Sequence, residues 1–146
     1  MPGFTVSFRV TGRDVDPLEV SEFLGLQASL SHKCGDPHFG KQGRYADFPE
    51  GLWSLSSPLG RDRPLVEHIQ NLRAQLEGKE QALESLRSRG YYLEIFVGVF
   101  DIGDADEISL SLSELKALSD LHVDVCFDLY TWNDPGPLGD GTSNDE

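Results

Sequence analysis

The first residues of the chain alternate between apolar and polar side chains. A phenylalanine or a valine occupies each even position of residues 4–10, and threonine, serine or arginine follows each of them. A period of two residues is typical of a β-strand with one buried and one exposed face. The pattern therefore predicts a first strand over residues 4–11.

The next pattern is typical of a short amphipathic helix. Asp14 or Asp16 can cap its beginning, Pro17 suits its first turn, and Gly25 can end it. We expect this helix over residues 17–24. Residues 27–51 contain four glycines and two prolines and show neither the strand nor the helix period, so they are interpreted as a long connection.

The rest of the chain continues to mix strands with helices. Leucine and isoleucine spacing predicts two helices separated by Gly78, and a third helix beginning near Ser113 with Leu115 and Leu118 facing inward. β-rich runs predict further strands. The expected helices are 64–77 and 79–88, and the expected strands are 51–56, 91–100, 108–111 and 123–130.

This order predicts an α+β fold, with a largely antiparallel sheet and helices packed on one face. Residues 1–132 are expected to form a single domain, and the acidic residues 133–146 a disordered tail. The opposite face of the sheet then presents the polar members of the strands. These are Thr5, Ser7, Arg9, Thr11, Glu94, Asp124, Asp128 and Tyr130. Such a face is either simply solvated or a binding surface.

The charge of the chain is concentrated in its last third. The formal net charge is −13, and residues 101–146 hold Lys116 alone against 12 acidic residues. Nucleic acids and anionic membranes are disfavoured as partners, because binding to them depends on Lys and Arg. A cationic protein would instead be attracted, with an on-rate that falls as salt rises.

The sequence predicts a cytoplasmic protein with reduced thiols. No apolar stretch approaches the length of a membrane span, and no basic segment followed by an apolar one begins the chain. Cys34 and Cys126 show no paired or zinc-finger spacing.

Two clusters could bind metal ions. His32, Cys34, Asp36 and His38 stand at every second position, but ligands from one extended segment surround a tetrahedral ion poorly. The acidic residues of 101–107 lack the spacing of a calcium-binding EF-hand, and a solvated loop is the favoured interpretation. We expect no metal and no other cofactor. Motifs for nucleophilic catalysis or phosphate binding are missing from the sequence, so an enzyme is not expected.

Several short motifs occur in the order seen in a known bacterial family. They are residues 4–12, Asp16-Pro17 with Gly25, residues 33–36, residues 51–54, the leucine-rich helix and residues 128–130. In these, from Phe4 to Tyr130, the chain resembles domain-of-unknown-function family 4279. The resemblance implies a compact α+β domain and no assigned activity or cofactor.

Two functional hypotheses follow. The first is a non-enzymatic binding protein, such as an immunity-type inhibitor that masks a cationic toxin. Its expected partner-binding residues are Asp101, Asp104, Asp106, Glu107, Asp124, Asp128 and Tyr130. The alternative is a small-molecule-binding domain or enzyme that uses the 32–54 region. Its pocket would be lined by Lys33, Asp36 and Trp53, although Trp53 between two leucines also suits the core. Oligomeric state is left open.

Overall fold

A computed structural model describes residues 2–101 and 108–130 of the chain. Its strands are β1 (Gly3–Gly12), β2 (Leu30–His32), β3 (His38–Gly40), β4 (Gly43–Tyr45), β5 (Gly51–Ser56), β6 (Tyr92–Phe100) and β7 (Asp124–Leu129). Its helices are α1 (Pro17–Leu24), α2 (Leu65–Leu76), α3 (Glu80–Ser88) and α4 (Leu112–Ser119). The predicted α+β class is confirmed.

Five strands form the main sheet in the order β2-β5-β1-β6-β7. All neighbouring pairs are antiparallel except β6 and β7, which run parallel. The sheet is therefore largely antiparallel, as predicted. Strands β3 and β4 form a separate hairpin within the connection between β2 and β5.

The core lies between the sheet and the helices. Val6, Phe8 and Val10 of β1 are buried there with the odd-numbered residues of β6, and the leucine face of α2 covers them. The period-two pattern of β1 thus has the predicted physical cause, since one side of the strand packs under helices.

Helix α1 begins and ends with the expected signals. The Asp16 carboxylate accepts a hydrogen bond from the Leu18 amide, which selects Asp16 over Asp14 as the cap. Gly25 ends the helix at φ 65°, in the left-handed region that glycine reaches without strain. The predicted bounds of α1 are confirmed.

Two predictions about the segments between the main elements were wrong. Residues 27–51 are not one irregular connection, because they contain three strands of three residues each, too short to show a period. Residues 108–111 form no strand, since the Ser111 hydroxyl accepts from the Glu114 amide and the Glu114 carboxylate accepts from the Ser111 amide. This capping box begins α4 at Leu112.

Helix α4 is also rotated relative to the prediction. Leu118 is buried as expected, but Leu115 is 49% exposed. Ala117 is buried in its place, so the face that packs on the core contains Ala117 and Leu118.

Gly51 provides a test of this packing. A Cβ at Gly51 would lie 2.6 Å from the Val15 carbonyl oxygen, a backbone atom that cannot move aside cheaply. Gly51→Ala is expected to destabilise the fold by about 1–3 kcal/mol, the usual range for overpacking. Gly60→Ala is the control, because its Cβ would meet only the Asp62 carboxylate. Equal urea midpoints for the two variants would contradict the packing at Gly51.

Candidate functional site

The side of the main sheet away from the helices carries most of the polar strand residues. We call this side the open face. It consists of Leu30, His32, Leu52, Ser54, Ser56, Thr5, Ser7, Arg9, Thr11, Tyr92, Glu94, Phe96, Gly98, Phe100, Asp124, Cys126 and Asp128. The strand alternation predicted seven of these positions, which are Thr5, Ser7, Arg9, Thr11, Glu94, Asp124 and Asp128.

Pairing of β6 with β7 brings acidic residues together on this face. Glu94 is the register partner of Asp124, and Gly98 is the register partner of Asp128. Neighbouring strands lie about 4.8 Å apart, so Glu94 and Asp124 are adjacent. We call Glu94, Asp124 and Asp128 the acidic cluster.

Arg9 lies beside the acidic cluster on β1. It is the register partner of Glu94, and its guanidinium carbon lies 3.8 Å from the centre of the Phe96 ring. The Arg9 Nε atom is buried and has no hydrogen-bond partner within the described chain. Burial lowers the pKa of Arg9, against the opposing effect of Glu94, but arginine stays protonated at neutral pH.

Glu94 of the acidic cluster has a raised pKa. Burial raises its pKa, Asp124 and Glu50 raise it further, and Arg9 and Tyr92 oppose the shift. The single arginine therefore does not offset the burial of Glu94 and the repulsion from its acidic neighbours. A cationic group placed here would meet an unbalanced negative potential.

Two tyrosines flank the cluster and hold its aspartates. The Tyr130 hydroxyl donates to the Asp128 carboxylate, and the Tyr130 ring stacks on Phe100 with centroids 4.7 Å apart. A hydrogen bond to Asp124 is the main cause that raises the pKa of the Tyr92 hydroxyl. Tyr92 is 48% exposed, so its ring is available at the surface.

The surroundings of Cys126 do not activate its thiol. This cysteine lies between Asp124 and Asp128 on β7, and burial raises the pKa of its thiol, with Glu94 and Asp128 adding to the effect. A thiol whose pKa is raised is a weak nucleophile at neutral pH.

The predicted histidine and cysteine cluster around residue 34 does not converge on one point. Phe48 lies between the two imidazoles, with its ring centre 3.5 Å from that of His32 and 4.2 Å from that of His38, stacked on both. The Cys34 thiol donates to the Pro49 carbonyl. Across the described residues, no group of three or more possible ligands could hold a metal ion.

Lys33, Asp36 and Trp53 are not brought into a shared pocket. Trp53 is fully buried on the helix side of β5, where its indole donates to the Ser21 hydroxyl at 2.9 Å. Asp36 accepts from the Lys33 amide at 2.8 Å and so closes a turn, while Lys33 is exposed. The geometry therefore offers no support for a ligand between these three residues.

Of the other acidic residues predicted for this surface, the structure describes only Asp101. Asp101 is exposed directly after β6, at φ 58°. Asp104, Asp106 and Glu107 lie outside the described residues, as do residues 133–146. The structure thus brings together Asp124, Asp128 and Tyr130 from the predicted set.

Sequence reasoning had not assigned Arg9, Glu94, Tyr92 or Phe96 to the site. Their signal was the strand alternation, which placed Arg9 and Glu94 on the same face. Only the register between strands shows that these residues meet.

A concave region lies on the helix side, between α2, α3 and the residues that follow α4. This groove has a volume of about 760 Å³ and is lined by both acidic and basic side chains. Arg73 lies 3.4 Å from Asp120, and Arg87 lies 3.0 Å from Glu84. Its arginines are thus engaged with acids of the same groove.

Comparison with known proteins identifies one family. A sequence model described as a domain of unknown function (DUF4279) matches residues 2–132. Neither a curated protein nor a solved structure matches the chain. Over the described residues, no helix has the length and apolar character needed to cross a membrane.

Proposed function

Since the chain belongs to the DUF4279 family, whose description assigns no function, we propose a function from the site itself. We infer that the protein is a non-enzymatic, cytoplasmic binding protein whose open face masks a cationic protein partner. An immunity-type inhibitor of a basic toxin is the form of this function that we favour.

The observation that carries this proposal is the register of β6 and β7. It places Glu94 and Asp124 side by side and adds Asp128 on the same face, with Arg9 as their basic neighbour. Lysine and arginine side chains of a partner would complement this charge. The exposed ring of Tyr92 suits a protein partner, because tyrosine is enriched among residues that dominate binding energy.

A merely solvated face would not need this arrangement. Solvated carboxylates are well hydrated and gain little from proximity, whereas Glu94 is half-buried and its pKa is raised by that burial. A bound cation would relieve this penalty. Binding should therefore lower the pKa of Glu94, an effect that a partner docked elsewhere would not produce.

Neutralising the two aspartates tests the proposal. In the double variant Asp124→Asn/Asp128→Asn, association with a basic partner isolated from the native host is expected to slow by about tenfold at low salt. The difference should shrink as salt rises toward 300 mM, where the screening length is well below about 10 Å. Stopped-flow or biolayer measurements of the on-rate, with circular dichroism to verify the fold, provide the readout.

The matched control is Glu22→Gln/Glu80→Gln, which changes the net charge equally at exposed positions on α1 and α3. Its on-rate should stay close to that of the unmodified chain. Equal slowing in both double variants would show only a net-charge effect, and an on-rate unchanged in both would also contradict the proposal.

A further inference from the structure

Strand β7 is an edge of the main sheet. Among the described strands only β6 pairs with it, so the backbone amides and carbonyls on its other side have no strand partner there. The opposite edge, β2, has three residues, against six in β7. An edge of this length is a template for pairing with another extended segment.

The side chains of β7 differ sharply between its two faces. Asp124, Cys126 and Asp128 lie on the open face, whereas Val125, Phe127 and Leu129 point to the helix side. Phe127 is 37% exposed and Leu129 is 52% exposed, although they are large apolar residues on the core side of the sheet. The helices therefore leave apolar surface uncovered at this edge.

These features select one kind of occupant. We propose that an extended segment of the partner pairs with the outer edge of β7, with basic residues at alternate positions and apolar residues between them. The basic side chains would lie on the open face beside Asp124 and Asp128, and the apolar ones would cover Phe127 and Leu129. This proposal rests on the proposed function and specifies how the cationic partner binds.

A second copy of the chain fits this edge poorly. In the register centred on Cys126, two β7 strands paired antiparallel with their helices on the same side would place Asp124 opposite Asp128 of the other copy, and every such register brings two acidic open faces side by side. Like charges opposite each other destabilise a strand pair. Residues 131–146 of the chain itself carry four acidic residues and no lysine or arginine, so charge opposes that segment as well.

Synthetic peptides test the pairing directly. The probe is a fluorescent hexapeptide of alternating lysine and valine, compared with one of alternating glutamate and valine, by anisotropy at about 50 mM salt. We expect the basic peptide to bind and the acidic one not to bind. In the Asp124→Asn/Asp128→Asn variant, binding of the basic peptide should weaken about tenfold.

N-methylation separates strand pairing from simple charge attraction. In a strand of this peptide, the backbone N–H groups of the lysines point to one edge and those of the valines point to the other. Methylating all the lysine amides, or all the valine amides, blocks one edge each and leaves the charge unchanged. We expect one methylated peptide to lose at least about tenfold in affinity and the other to keep its affinity.

Variants of the apolar side of β7 provide a second readout. Phe127→Ser/Leu129→Ser should lower the affinity for the basic peptide about tenfold, because the valines of the peptide lose the apolar surface that they cover. The control Leu18→Ser/Leu112→Ser changes two exposed leucines on α1 and α4 and should have no effect. Both double variants replace two exposed apolar side chains by serine.

The outcomes distinguish the two proposals. Equal binding of both methylated peptides, still sensitive to the aspartate variant, overturns strand pairing and leaves the proposed function standing. Basic and acidic peptides that bind equally, or fail to bind up to about 1 mM, contradict both. Self-association in ultracentrifugation that Phe127→Ser/Leu129→Ser abolishes would assign the edge to a second copy and overturn this occupant.

Discussion

Trp53→Ala is expected to lower the free energy of unfolding by about 3–5 kcal/mol, the usual range for removing a large aromatic side chain from a core. The indole is fully buried, meets Phe8 edge to face with centroids 6.2 Å apart, and donates to Ser21 of α1. Its loss would leave a cavity between the sheet and α1 and would deprive the Ser21 hydroxyl of its donor.

Urea unfolding followed by circular dichroism measures this effect, because the variant lacks the buried fluorophore. Phe39→Ala is the control, since Phe39 is 65% exposed on the β3–β4 hairpin, and its effect should stay within about 0.5 kcal/mol. Trp53→Phe should fall between the two, as it keeps most of the apolar contact and loses the hydrogen bond. If Trp53→Ala unfolds at the urea midpoint of the control, Trp53 is not a core residue.

Elements with strong local signals could be predicted from the sequence. The alternation of β1 and the capping of α1 by Asp16 and Gly25 depend on residues close in the chain. Gly78 separates α2 from α3 at φ 79°, a conformation that favours glycine, so this break was also predictable. Three-residue strands such as β2 carry no period, and their pairing with distant residues is invisible locally.

The sequence predicted which face of the sheet carries the candidate site, but it did not predict which of these residues are neighbours. Alternation indicates that Arg9, Glu94, Asp124 and Asp128 share one side of a sheet, but it does not order the strands. The parallel pairing of β6 and β7 makes Glu94 and Asp124 adjacent. A parallel crossover depends on how α4 packs on α2, which is a tertiary contact.

The loop around residue 34 illustrates the opposite error. Alternating His32, Cys34, Asp36 and His38 could suggest a shared ligand set, yet Phe48 comes from ten residues beyond His38 and separates the two imidazoles. Aromatic stacking with a residue outside the alternating segment determines this local geometry. Burial is the main cause that lowers the pKa of His32, and Asp36 opposes it.

The burial of His68 should make the stability of the fold depend on pH. Its side chain is fully buried on α2, and Nδ1 lies 2.9 Å from the Ser57 hydroxyl, while Nε2 has no hydrogen-bond partner in the described part of the chain. Burial lowers the pKa of His68, against opposing effects of the Gly60 backbone, Glu67 and Asp62. The folded protein therefore binds this proton less readily than the unfolded chain.

The sign of the effect follows from linkage. As pH falls below about 7 toward the unfolded-state pKa of histidine, near 6.5, the unfolded chain takes up the proton first, so stability decreases. One such group can contribute at most about 1.4 kcal/mol per pH unit. Above neutral pH both states are unprotonated at this residue, and its contribution should level off. The contribution of Glu94 to the pH dependence of stability has the opposite sign. Its pKa is raised in the folded state, so its stabilising contribution is present at low pH and is lost as pH rises through that pKa.

Replacing the histidine isolates its share of this dependence. His68→Asn keeps a polar group near Ser57 but cannot titrate, so urea unfolding between pH 5.5 and 7.5 is expected to show a shallower slope than in the unmodified chain, over about two pH units. His32→Asn should flatten the slope less, because His32 is only half-buried whereas His68 is fully buried. The His68→Asn variant should also be less stable at every pH, because the smaller side chain leaves a cavity. The slope against pH, and not the stability at one pH, therefore reports the titration of His68. Identical slopes in the His68→Asn variant and the unmodified chain would show that His68 binds its proton equally in the folded and unfolded states, contrary to its burial beside Ser57.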